Sequence, residues 1–130
     1  MPMLWATGEG ALGKFCDDVC ALGERVLRKT AQRHAALVAA WGFAVNFEGL
    51  CGIALNRNQI GSDAFASVAA DYDLLLPFVF DGSQYTVSIY RGGQRPDFDC
   101  SKLAEKFGGG GHPGASGFQC AELPWRTEER

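Results

Sequence analysis

The 130-residue sequence predicts an α/β fold: a small mixed β-sheet with packed helices, preceded by a long N-terminal helix. Three observations carry that expectation. Apolar residues recur at helical spacing from Gly10 to Trp41, and short β-like runs punctuated by glycine then follow. A further helical stretch interrupts those runs ahead of a last apolar segment. No internal repeat is present.

In the first element Leu12, Phe15, Cys16, Val19, Leu22, Val26 and Leu27 form an apolar stripe, with charged residues on the opposite face. Gly13 and Gly23 each cost about 1 kcal/mol against alanine, so a bend is expected there. Arg25, Arg28, Lys29 and Arg33 read as a solvated face, and His34 as a surface or packing residue. Gly42 ends the helix.

Phe43–Glu48 and Leu50–Arg57 are short, apolar and strand-like, separated by Gly49. Ser62 is placed to cap a short helix running to about Ala70. Leu74–Phe80 and Gln84–Tyr90 flank Asp-Gly-Ser, which signals a hairpin. Tyr85, Val87 and Ile89 should face one side of the second strand, and Thr86, Ser88 and Tyr90 the other. Pro77 lacks a ladder donor, so its strand is expected at an edge or with a bulge. Asp97 or Asp99 should cap a helix that stops at Gly108. The segment "ASGFQC" reads as a last strand and "ELPWRTEER" as a frayed tail. The expected organisation is therefore a helix at 1–41, a domain at 42–121 and a flexible tail at 122–130.

Composition narrows the function. Hydrophobic residues make up 47% of the chain, enough for a globular core. The formal charge of −3 argues against a protein that grips DNA chiefly through its phosphates. No membrane span or signal peptide is legible, and five scattered cysteines read as reduced thiols, so a cytoplasmic location is expected. Cys16 and Cys20 share a helix face, but without further ligands nearby they read as small buried hydrophobes rather than a metal site.

The chemically distinctive stretch is "KFGGGGHPGASGF", Lys106 to Phe118. Glycines let a backbone approach a ligand closely, and successive N–H groups can converge on an anion. His112 adds a donor. Pattern alone slightly favours a plain helix-to-strand turn, since polyglycine is common and no P-loop lysine follows.

The longer stretch "FDCSKLAEKFGGGGHPGASGF" resembles the signature of the DHH-associated domain, type one, the C-terminal substrate-binding domain of DHH-family phosphoesterases. The likeness is closest over Asp99 to Phe118 and extends back to about Gly42. It implies that Gly108, Gly109, Gly110, Gly111 and His112 contact a phosphate or nucleotide. Arg91 is implied as a contributor, with Ser88 beside it, although their spacing departs from the commonest Ser-x-Arg pattern. It implies single-stranded nucleic acid, an oligonucleotide or a nucleotide phosphate as ligand.

The family's catalytic half carries the Asp-His-His motif and a pair of manganese ions. This sequence has no such motif, so no catalytic residue and no metal or other cofactor are assigned to it. The expectation is part of a manganese-dependent hydrolase, inactive alone, whose partner is a DHH catalytic domain. The resemblance implies that the N-terminal helix at 1–41 connects back to that absent domain, and its partly uncovered apolar stripe makes a homodimer the further expectation. A free-standing nucleotide-binding or dimerisation module is the alternative.

Overall fold

The computed structural model describes residues 8–128. The elements are α1 (Gly8–Trp41), β1 (Phe43–Phe47), β2 (Leu50–Asn56), two 3₁₀ turns (Ser62–Phe65 and Ala69–Asp71), β3 (Leu74–Phe80), β4 (Tyr85–Arg91), α2 (Cys100–Glu105), β5 (Gly110–His112), β6 (Ala115–Cys120) and β7 (Arg126–Thr127). The fold is mixed α/β, as predicted. The chain divides into two units, one ending at Arg33 and the other beginning at His34.

In the first unit α1 runs through Gly13 and Gly23 as one helix, and a Cβ at either would meet nothing within 4 Å. The apolar stripe is exposed.

The second unit is built on a seven-stranded sheet in the order β5-β6-β4-β3-β2-β1-β7. Every pairing is antiparallel except β2 with β3, whose parallel register sets Gly52 opposite Leu74. A parallel pair needs a crossover, and the two 3₁₀ turns supply it. Expected as one capped helix, this segment instead has Gly61 at the cap position, and the Ser62 hydroxyl caps nothing. Gly93 packs closely against this segment, and a Cβ there would lie 2.8 Å from the Ala70 Cα.

Side-chain alternation sorts the core onto two faces. On one, Val45, Phe47, Leu74, Leu76, Val87, Ile89 and Phe118 meet Leu103 and Ala104 of α2. Phe47 is fully buried, worth roughly 1.5–3 kcal/mol, within a ring of Phe107, Phe118 and Trp125. On the other, Ile53, Leu55 and Leu75 pack with Phe65 of the crossover and Val38 of the last α1 turns.

Three further expectations are corrected. Cys16 and Cys20, read as small buried hydrophobes, are both exposed on α1. Pro77 lies in a central strand, with neither an edge nor a bulge: one register relates β3 to β4 throughout, from Leu74 opposite Arg91 to Phe80 opposite Tyr85. The pairs at Leu76 and Pro77 alone drop out of the ladder, because proline brings no N–H to the Ser88 carbonyl. The segment after Ala121 is docked rather than frayed. Trp125 is buried, Arg126–Thr127 pairs with β1, and the Glu128 N–H donates to the Ala44 carbonyl at 2.8 Å.

Candidate glycine-walled cleft

Helix α2 delivers the chain to the glycine run. Asp99 caps its start, the carboxylate accepting from the Ser101 N–H at 3.0 Å and from the Ser101 hydroxyl. At its end Gly108 turns left-handed, with φ at +85°. The Gly108 N–H donates to the Glu105 carbonyl at 3.1 Å, and the Gly109 N–H to the Ala104 carbonyl at 2.9 Å. This is a Schellman closure. The N–H groups of Gly108 and Gly109 are thus committed to the helix and do not converge on an open anion site.

The rest of the run is a strand rather than a loop. Gly110, Gly111 and His112 pair with Gly117, Ser116 and Ala115. As the edge of the sheet, β5 leaves one side of its backbone without a strand partner. The Ser116 hydroxyl donates to the His112 carbonyl at 2.6 Å, and the Cys100 N–H to the Pro113 carbonyl at 2.7 Å. These bonds fix the short turn between β5 and β6.

Register brings part of the predicted set together. Ser88 lies opposite Gly117, which lies opposite Gly110, so the three form one row across the sheet. The next row is Tyr90, Ala115 and His112. These rows occupy the face away from α2, since Val87, Ile89 and Phe118 turn toward that helix. Here an open cleft of about 580 Å³ is lined by Gln84, Thr86, Val87 and Ser88 at β4, by Gly117, Phe118 and Gln119 of β6, and by Gly108 and Gly109 of the glycine run. No charged side chain lines it. The Gln119 amide donates to the Thr86 hydroxyl at 3.3 Å, whereas Ser88 and the exposed His112 make no side-chain hydrogen bond among the described residues.

Glycine at two of the lining positions lets the chain approach neighbouring backbone closely. A Cβ at Gly109 would lie 2.0 Å from the Gly117 carbonyl oxygen, and one at Gly117 would lie 2.8 Å from that of Val87. Gly117, Thr86, Gln84 and Gln119 were not singled out as ligand contacts from sequence. Their signal is two-dimensional, an opposition across the β4–β6 ladder that a linear motif does not display.

Arg91 is the predicted residue that stands apart. Three positions beyond Ser88, it falls on the α2 face, whereas a spacing of two would have placed both residues together. Its guanidinium donates to the Pro96 carbonyl at 2.6 Å and lies against Gly114, where a Cβ would come within 2.8 Å of it. It also sits near Cys100, whose thiol is pushed up to about 11 by burial, partly offset by the Arg91 charge.

No protein-family profile matches the chain, and no curated protein matches it in sequence. Among solved structures it resembles PggH, a pGpG-specific phosphodiesterase from Vibrio cholerae, with a TM-score of 0.57 at 17% identity. The match covers 85% of this chain and 43% of that one, so the chain spans less than half the length of the enzyme it resembles. The similarity is one of fold. No helix among the described residues is long and apolar enough to cross a membrane.

Proposed function

We propose that this chain is the substrate-binding part of a DHH-type phosphoesterase, a DHH-associated domain of type one that holds a phosphate of a nucleotide or single-stranded nucleic acid end. The observation that supports this reading is the cleft itself. Its glycine wall gives close backbone approach, Ser88 and Thr86 offer hydroxyls, Gln119 an amide, and His112 stands one row away on the same face. The resemblance of the glycine run to the family signature adds the substrate class. The fold shared with a pGpG-specific phosphodiesterase makes a linear dinucleotide the first ligand to try.

In such an enzyme a manganese pair on the Asp-His-His domain supplies the activated water. Among the described residues no three His, Cys, Asp or Glu side chains come together to hold a metal, so these residues do not fit that centre. Their part is binding and orientation. Neutral donors fix a phosphate without neutralising it, leaving its charge for cations brought by another domain.

The test is titration of pGpG, a mononucleotide and a short oligonucleotide onto the wild type, His112→Ala and Gly110→Val. Loss of one donor to an anionic oxygen is worth about 1.5–3 kcal/mol, so His112→Ala should bind about tenfold to hundredfold more weakly. Gly110→Val should obstruct the cleft row while the protein stays folded. Equal affinities in three folded proteins would reduce the run to a plain turn.

A further inference from the structure

We propose that α1 carries a self-complementary seam, from Leu12 to Lys29, that pairs antiparallel with the same segment of a second copy of this chain. Leu12, Phe15, Val19, Leu22 and Val26 follow one another at spacings of 3, 4, 3 and 4 residues. That is the a/d pattern of a helix lying along another helix, with a period of 3.5 residues. The side chains are open to such a partner: Leu12 is 62% exposed, Phe15 63%, Val19 51%, Leu22 55% and Val26 54%.

Charge selects both the occupant and its direction. Asp18 and Arg25 each precede a seam residue, Val19 and Val26, and so occupy the flanking g positions. In a parallel pair they would face Gly23 and Thr30, which carry no charge. In an antiparallel pair Asp18 faces the partner's Arg25 on both sides of the two-fold axis. The same alignment stacks Val19 on the partner's Leu22 and Phe15 on the partner's Val26. Leu12 then lies under the aliphatic stem of the partner's Lys29, whose ammonium reaches solvent. The N-terminal half of this segment, with Lys14, Asp17 and Asp18, is net acidic, and the C-terminal half, with Glu24, Arg25, Arg28 and Lys29, is net basic. Antiparallel pairing therefore sets acid against base and opposes the helix dipoles, whereas parallel pairing sets base against base. The seam is short, so the dimer is weak and concentration-dependent.

Sedimentation velocity of the full 130-residue chain over a wide concentration range tests this, alongside Asp18→Arg, Arg25→Asp and the double variant. Both substitutions fall on exposed helix positions, and circular dichroism verifies that helix content is kept in all three variants. The expected result is a wild-type dimer, weakened roughly tenfold by either single reversal and restored in the double variant. A monomer at every concentration overturns the proposal. So does a dimer that ignores the single reversals, or a double variant weaker than both singles.

Discussion

A Cβ at Gly110 would meet nothing within 4 Å, and its φ lies outside the left-handed region, in contrast to Gly108 and Gly111. The fold therefore requires glycine at some positions of the run and not at this one. Gly109→Ala should destabilise by about 1–3 kcal/mol through overpacking, whereas Gly110→Ala should leave stability unchanged or raise it by about 0.5–1 kcal/mol. Urea unfolding of the two variants reads this difference directly, and equal losses would contradict it. Arg91 makes the complementary case. Held by the Pro96 carbonyl and pressed against Gly114, it is positioned to brace the turn that carries His112. If it acts that way, Arg91→Ala should weaken nucleotide binding by the same factor at every salt concentration. A direct phosphate contact would instead lower the salt slope by about one. Titrations at several ionic strengths separate the two roles.

Helix α2 shows how a short element gains definition from its ends. The Ser101 hydroxyl, then backbone N–H groups, hold the Asp99 carboxyl below its usual range. Backbone N–H groups of Gln84 and Ser83 do the same for Asp81 in the β3–β4 turn. Both groups have a lower pKa folded than unfolded, so their stabilisation is present above the unfolded carboxylate pKa. It is lost as pH falls through the folded one. Melting temperature should therefore drop on acidification below the normal carboxylate range, and less so in Asp99→Asn. A parallel pH dependence in wild type and variant would contradict this. Strand β7 is stabilised differently, since it is very short and held by Trp125 between Phe47 and Phe78. Trp125→Ala should cost about 3–5 kcal/mol in denaturant unfolding. A loss under 1 kcal/mol would return the segment to the status of a tail. Its sequence, rich in charge and containing Pro124, hides this, because the anchor is one aromatic residue whose partners lie far away along the chain.

At the scale of the molecule, a cleft with no metal-ligand cluster among the described residues predicts that this chain alone will not hydrolyse pGpG or a short oligonucleotide, with or without manganese. Product analysis on a contaminant-free preparation checks this, and robust manganese-dependent turnover would overturn the proposed division of labour. Periodicity and glycine punctuation by themselves determined the long helix, the hairpin and the α/β class, because each is a local property of backbone and spacing. Only the tertiary structure decided how the glycine run is built. It assigned the N–H groups of Gly108 and Gly109 to α2, made β5 an edge strand, set Gly117 between Ser88 and Gly110, and turned Arg91 to the other face. It also placed Pro77 in a central strand and Trp125 in the core. Each of these depends on which strands become neighbours and in what register, and strand pairing joins residues distant in sequence that no local pattern relates.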